Sequence, residues 1–480
     1  MRISFSSITV IKRVLSLLLI CLLIFSAFKI LKSGAHRFNP QYLVDNTILQ
    51  NKEFTPNVVE VISPRYKIKA YLLEEHSNPI INVGFMFKHA GRAYDPHNRQ
   101  GLNNILSDVL TKGAGQYTRQ QFNRLLEQKA ISLNFNNSMD SFQGSIKFIK
   151  KDMDLATKLF NLSLTKPRLS QEDIARSKGD LITTIQSIPE RPRDTLNVRA
   201  LQLLYDTHPY GRNPYGNVKQ IKQITSSELR NFMRKHFAYD NLIVGISGDI
   251  TPKDAENLLD KMFAGLSKTN SSKKLATLDV QFPAPVYSIL QDSPQYIGFL
   301  YAKAVAPSHP DFYPLLLANE ILVGGGLNSR VQKKAREQEG LTYGAYAGLV
   351  DYDEFSYIHG SFSSTPNNFD NLLQIVYDEW INLGQTGVTQ PELDRVKNYL
   401  IISEPLRYAE LENITASLIY MQYKNLGLDF LQKRNSYIRN INLESINNVA
   451  KKYFTATNLR FITLGGNNTK EPMPNEYHSK

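Results

Sequence analysis

The stretch Val83-Gly84-Phe85-Met86-Phe87 has the composition of a buried strand, and Ile297-Gly298-Phe299-Leu300-Tyr301 repeats its pattern 214 residues later. Two further matches follow in the same order along the chain, at offsets of 219 and 217 residues. They pair residues 170–178 with 389–397 and residues 224–242 with 441–459. Since three matches share nearly one offset, the sequence predicts two homologous repeats of about 210 residues each.

Strand and helix patterns alternate irregularly within the first repeat. Residues 71–87 and 133–148 have strand composition, whereas residues 103–110, 119–129 and 150–164 carry apolar side chains at helical spacing. Short hairpin-like connections favour antiparallel pairing over a doubly wound parallel sheet. The predicted fold class is therefore α+β, with two repeats that each form an antiparallel sheet flanked by helices.

The predicted domain organisation places the two repeats between shorter segments. A polar stretch without aromatic residues follows the first repeat and is the natural linker. The segments are a signal peptide or membrane anchor (1–35), an extension (36–55), an N-terminal domain (56–266), the linker (267–280), a C-terminal domain (281–470) and a tail (471–480).

The N-terminal leader predicts export. Lys12 and Arg13 precede fifteen uncharged, mostly apolar residues, 14–28, and the small residues Ser33 and Ala35 follow. This order is typical of a secretory signal cleaved after Ala35. The alternative is an uncleaved membrane anchor, since a spanning helix needs about 20 apolar residues, a length this run reaches only by including a lysine.

Composition and charge exclude several classes of protein. The 480 residues carry a formal net charge of +12, half of it from six basic residues among the first 40, which include no acidic residue, and the remainder is spread without a basic stripe. We therefore expect no nucleic-acid binding. The single cysteine, Cys21, lies in the leader, which excludes a disulfide framework and a cysteine-ligated metal site.

Two common hydrolase signatures are absent from the sequence. The nine histidines include no two closer than His89 and His97, so no helix presents two imidazoles at i and i+4 to a zinc ion. No Gly-x-Ser-x-Gly elbow is present either. A metal site built from distant histidines stays open at this point.

The predicted helix after Gly101 carries polar residues on one face. Asn104, Ser107 and Asp108 lie at i, i+3 and i+4, a spacing that brings side chains together, opposite an apolar stripe. An amide, a hydroxyl and one carboxylate do not form a tight zinc site. Composition alone favours a solvated polar face.

A second informative segment follows Gly324-Gly325-Gly326, a turn that leads into a predicted helix ending at Gly340. Residues 341–352 then have strand composition. Arg336 would lie in the last helical turn and Tyr343 early in the strand, so both point toward one end of the domain. Together they could stabilise an oxyanion. The alternative is structural, with Arg336 favoured by the helix dipole and Tyr343 packed in the sheet.

Several motifs together resemble the pitrilysin/insulinase family of zinc metallopeptidases. They are Gly101-Leu102 before a helix and Lys112-Gly113, Thr207-His208-Pro209-Tyr210-Gly211, a strand ending at Gly248-Asp249, and residues 324–346. The similarity extends over residues 55–470, including the duplication, and is greatest to the short processing-peptidase-like branch. The resemblance implies subunits of two repeats that pair into a clamshell.

The resemblance also implies that the metal site is lost. The family's His-x-x-Glu-His motif falls on residues 104–108, where Asn104, Ser107 and Asp108 replace the two histidines and the glutamate. The third ligand, a glutamate in the family, aligns near Thr184. No zinc is therefore expected in this chain. The family's C-terminal Arg/Tyr pair is present as Arg336 and Tyr343. In heterodimeric relatives one subunit carries the zinc and the other supplies this pair, which helps to bind the substrate.

These features lead to an expected function. The chain would be a non-catalytic subunit of an exported heterodimeric zinc metallopeptidase, without zinc-dependent activity of its own. Arg336 and Tyr343 would bind the peptide substrate, and a homologous zinc-bearing subunit would be the partner. The expected location is the periplasm, with the chain soluble or anchored to the inner membrane. The alternative is a structural or peptide-binding scaffold that has no peptidase partner.

Overall fold

A computed structural model describes residues 56–465, apart from 277, 279, 281–284, 325–327 and 354. The predicted leader, extension and tail lie outside the described residues. The described part contains two β-sheets, one from each half of the chain, each with helices. This confirms the α+β class and the two-repeat architecture.

The first sheet has six strands in the order β1-β2-β6-β3-β5-β4. They are β1 Val58–Ile62, β2 Lys69–Glu74, β3 Ile80–Lys88, β4 Ser132–Asn137, β5 Ser141–Ile149 and β6 Leu242–Gly248. Strand β3 lies in the middle and pairs antiparallel with both β5 and β6. Residues 81–87 of β3 are all buried, which explains why this segment is largely apolar without alternation. The pairing is antiparallel throughout, except between β2 and β6.

The second sheet has five strands in the order β7-β11-β8-β10-β9. They are β7 Val286–Ile289, β8 Tyr296–Lys303, β9 Ala345–Asp351, β10 Ser356–Ser364 and β11 Arg460–Leu464. Strand β8 is the counterpart of β3, and β7 and β11 form the one parallel pair. Each sheet thus departs from purely antiparallel pairing at the equivalent place, as a duplication requires.

The helices fall into two sets. Those of the first half are α1 Leu102–Val109, α2 Arg119–Gln128, α3 Met153–Thr165, α4 Gln171–Gln186, α5 Pro192–Tyr205, α6 Val218–Gln223, α7 Ser226–His236 and α8 Pro252–Met262. Those of the second half are α9 Phe312–Asn319, α10 Arg330–Gln332, α11 Pro366–Thr386, α12 Gln390–Ile402, α13 Glu404–Arg407, α14 Leu411–Tyr423, α15 Phe430–Arg439 and α16 Leu443–Tyr453. Within the described residues, none of these helices has the length and apolar character needed to span a membrane.

Equivalent hydrogen bonds recur in both halves. The Asn241 side chain donates to the Lys88 carbonyl at 2.6 Å, and Asn458 donates to Lys303 at 3.3 Å. The Nζ of Lys178 donates to the Lys222 carbonyl at 3.0 Å, and Lys397 makes the same bond to Arg439 at 2.9 Å. The residues that match between the two halves therefore make equivalent hydrogen bonds in each of them.

Each half covers the sheet of the other half with one helix. Helix α14 packs on β3 and β6 of the first sheet, and helix α5 packs on β8 and β11 of the second. The Asn82 side chain donates to the Thr415 hydroxyl at 2.8 Å, and Ser247 lies 2.8 Å from the same oxygen. Thr415 also lies against Gly84 and Gly245, where a Cβ atom would collide with the helix. Glycine is needed here because the helix approaches the strand backbone so closely.

Candidate functional site

A buried carboxylate fixes the start of helix α1, which carries the degenerate motif. Asp95 accepts hydrogen bonds from the Gly101 and Asn103 backbone amides, at 2.8 and 3.0 Å, and from the Asn103 side chain at 2.8 Å. Burial raises the pKa of Asp95 to about 7, although these hydrogen bonds oppose the shift. The carboxylate thereby satisfies backbone donors that the first turn of a helix leaves unpaired.

Asn104 and Ser107 are brought together by a third residue that sequence reasoning missed. The Asn137 side chain, at the end of β4, donates to Asn104 Oδ1 at 3.1 Å and to Ser107 Oγ at 3.4 Å. Asn104 in turn donates to the Pro214 carbonyl at 2.9 Å, and Ser107 donates to the carbonyl of Asn104 at 3.0 Å. The side chains of Asn104, Ser107 and Asn137 are therefore joined by hydrogen bonds at the motif.

Asp108 and Thr184 do not join this cluster. Asp108 is exposed and forms an ion pair with Lys112, just beyond the end of α1, at 3.1 Å. Of the three polar residues on this helix face, Asp108 is therefore the solvated one, and it turns toward the nearby cation instead of toward Asn104 and Ser107. The Thr184 hydroxyl donates to the Asp180 carbonyl within α4 at 2.9 Å.

The side chains at these four motif positions, Asn104, Ser107, Asp108 and Thr184, do not fit a zinc ion. Zinc in proteins is held by thiolate, imidazole and carboxylate ligands. Here the only such ligand is Asp108, which is paired with Lys112. Elsewhere in the described ranges, no three His, Cys, Asp or Glu side chains are grouped so that they could hold a metal.

The Arg/Tyr segment differs in detail from its predicted form. Helix α10 is short and continues as a wide π-helical turn, Lys333–Gln338, that contains Arg336. Strand β9 begins only at Ala345, so Tyr343 precedes the strand instead of lying within it. The reason is a local turn in which the Thr342 hydroxyl accepts from the Gly344 amide at 3.1 Å and donates to the Ser363 carbonyl at 2.7 Å.

Both residues of the pair face solvent. Tyr343 is 91% exposed, and Arg336 is also exposed. A tyrosine so fully exposed adds little packing energy, which argues against the purely structural role for this side chain. The guanidinium and the phenol are free to donate hydrogen bonds to a carbonyl or carboxylate oxygen.

The segment that presents the pair is anchored on both sides. Arg330 binds Glu392 of α12 through two hydrogen bonds of 2.7 and 2.8 Å, and Gln332 donates to the Ala345 carbonyl at 2.7 Å. Burial alone would raise the pKa of Glu392, but hydrogen bonds from Arg330 and Thr389 outweigh it and lower that pKa to about 2. The segment that carries Arg336 and Tyr343 is therefore held by hydrogen bonds to α12 and to β9.

The chain is similar to known proteins over most of its described length. The model of the insulinase family, Peptidase family M16, matches residues 70–216, and the model described as peptidase M16 inactive domain matches residues 223–400. A relative in Helicobacter pylori named non-peptidase homolog YmxG is 27% identical over 83% of this chain and 92% of its own length. The mitochondrial-processing peptidase subunit beta of Caenorhabditis elegans is 20% identical over 66% of this chain and 70% of its own length.

A solved structure shares the fold. The crystal structure of a peptidase M16 inactive domain from Pseudomonas fluorescens matches with a TM-score of 0.80 and 23% sequence identity, and the match covers 87% of this chain and all of that one. The match over the whole of that chain supports the two-repeat α+β fold described above.

Proposed function

Because the chain belongs to the insulinase (M16) family of peptidases as an inactive member, we propose that it is the non-catalytic subunit of an exported heterodimeric zinc metallopeptidase. Its partner would be a homologous subunit that supplies the zinc and the general base. This chain would supply Arg336 and Tyr343, which bind the substrate peptide.

The observation that carries the proposal is the contrast between the two candidate sites. At the metal motif, Asn104 and Ser107 are tied into hydrogen bonds with Asn137. Arg336 and Tyr343, in contrast, are exposed donors on an anchored segment. The motif side chains are thus engaged with one another, whereas the exposed guanidinium and phenol remain accessible to a ligand, which supports a binding role for the second site.

The chemical contribution of this chain would be electrostatic. A guanidinium and a phenol that donate to a peptide carbonyl bind the substrate backbone and stabilise negative charge as it develops on that oxygen. Arg336 also carries a full charge, so its hydrogen bond is the stronger of the two. Because both donors bind the peptide backbone, they would orient the substrate without contacting its side chains.

The proposed location is the periplasm, with the chain soluble or anchored to the inner membrane. This part of the proposal rests on the leader, in which Lys12 and Arg13 precede an apolar run and small residues.

The test is cleavage of a quenched fluorescent peptide library by the purified chain, alone and mixed with an intact-motif subunit from the same genome. We expect activity only in the mixture. Arg336→Ala should lower that activity tenfold or more, where each decade corresponds to about 1.4 kcal/mol. Lys333→Ala is the matched control, since Lys333 is an exposed cation on the same helical turn. Equal turnover in the two variants would contradict the role of Arg336.

The alternative is a structural or peptide-binding scaffold, which the name of the relative in Helicobacter pylori favours. A scaffold would give no cleavage in either tube but would still bind peptides. Activity of the chain alone would contradict both functions.

A further inference from the structure

The two repeats differ where a connecting loop packs on the first helix. In the first half, residues 206–217 join α5 to α6. Asn104 donates to the Pro214 carbonyl in this loop at 2.9 Å, and the Asn217 amide donates to the Gln100 carbonyl at 3.4 Å. The loop therefore covers the start of α1.

In the second half the equivalent connection, between α14 and α15, spans only residues 424–429. Lys424 in this connection is paired with Asp351 at 2.6 Å. A loop of half the length replaces the longer one beside the start of α9, the counterpart of α1. A cavity of about 450 Å³ opens at this place.

Five of the twelve residues that line this cavity are aromatic. It lies between α9, α13, α14 and α15, and its volume falls in the range of small-ligand sites. Its aromatic lining residues are Phe312, Tyr313, Tyr408, Tyr420 and Phe430. Leu406, next to the lining residue Arg407, is 75% exposed, so apolar surface continues beyond the cavity.

The charges of the cavity leave one free cation. Arg434 is buried and paired with the buried Glu404 at 2.8 Å, and Glu404 also accepts from the Tyr408 hydroxyl at 3.1 Å. Arg407 also lines the cavity but is exposed, and no hydrogen bond or ion pair joins its guanidinium to another residue of the described ranges. The cavity therefore combines apolar walls with a single unpaired positive charge.

We propose that this cavity binds the C-terminal residue of a peptide. The apolar side chain of that residue would enter between the aromatic walls, and its terminal carboxylate would bind Arg407. A guanidinium and a carboxylate form paired, charge-assisted hydrogen bonds, which select a free terminus over an amide. The inference rests on the proposed function only in taking a peptide as the ligand.

The test is isothermal titration of the purified chain, without partner or zinc, with N-acetyl-Gly-Phe, with its C-terminal amide and with octanoate. We expect the free acid to bind at least tenfold more tightly than the amide and than octanoate. Arg407→Ala should remove the preference for the acid. Arg395→Ala is the matched control, because Arg395 is an exposed arginine of α12 that does not line the cavity.

A second variant tests the position of the apolar group. Ala416 lines the cavity from α14, so Ala416→Phe should fill it and weaken binding of the acid tenfold or more. Equal affinity for the acid and the amide, unchanged binding in Ala416→Phe, tighter binding of octanoate or no binding at millimolar concentration would each overturn the proposal. Since no cleavage is measured, these results are independent of those that test the paired peptidase.

Discussion

The close approach of α14 to the first sheet predicts the effect of adding one methyl group. At Gly245 in β6, a Cβ atom would lie 2.7 Å from the Thr415 carbonyl oxygen and 3.1 Å from the Leu418 Cβ. The nearer atom belongs to the helix backbone, so no side-chain rotation relieves the collision. Gly245→Ala must therefore move the helix away from the strand.

The magnitude follows from what the movement disturbs. Overpacking of a well-packed interior costs about 1–3 kcal/mol. The same shift lengthens a buried hydrogen bond from Asn82 to Thr415, now 2.8 Å, and a partly buried one from Gln422 to the Val244 carbonyl, now 2.6 Å, each worth about 1 kcal/mol. We expect the free energy of unfolding to fall by about 2–4 kcal/mol.

Gly179→Ala in α4 is the matched control. A Cβ atom at Gly179 would meet nothing within 4 Å, and alanine is preferred to glycine within a helix by about 1 kcal/mol. Urea denaturation followed by circular dichroism should therefore show one variant destabilised and the other stabilised. Equal stability of Gly245→Ala and the wild-type chain would refute the close packing of α14 on β6.

Three further predictions concern charges and metal. Burial raises the pKa of Asp140 to about 6, so its protonation stabilises the folded state at low pH, and that stability is lost as the pH rises from about 4 to 6. Asp140→Asn should remove up to about 3 kcal/mol of pH dependence from a profile of the free energy of unfolding, measured by urea denaturation over this range. A profile as steep as that of the wild type would contradict this. Arg330→Ala should lower the free energy of unfolding by about 2 kcal/mol in urea denaturation at pH 7, because Glu392 loses the two hydrogen bonds that Arg330 donates. This loss should shrink as the pH falls toward 2, where Glu392 becomes protonated. A pH-independent loss would show that the charge of Glu392 is irrelevant. Zinc titration of the wild-type chain should show no stoichiometric binding, whereas restoring the family's three ligands and its catalytic glutamate at the four motif positions should create submicromolar binding. Tight zinc binding by the wild type would contradict our assignment of the site. The restoring substitutions are Asn104→His, Ser107→Glu, Asp108→His and Thr184→Glu.

The sequence predicts an element correctly where residues close in sequence determine its structure. The turn between β4 and β5 and the start of α2 at Arg119 follow from turn and capping chemistry close in sequence. The strand predicted from residue 341 was wrong at its start. The first residues have strand composition, but the Thr342 hydroxyl bonds to Ser363 and Gly344 and holds the backbone in a turn. Such a contact to a neighbouring strand is not visible in composition.

The sequence by itself determined the duplication and the loss of the metal ligands. The duplication depends on residues that recur at nearly one offset, and the motif positions 104, 107 and 108 hold an amide, a hydroxyl and one carboxylate, a set that does not form a tight zinc site. Tertiary structure alone decided that Asn137 enters the motif and that α14 lies on the opposite sheet. It also decided that a cavity opens beside α9, because these features depend on contacts between residues distant in sequence and on the length of a loop that packs on another element.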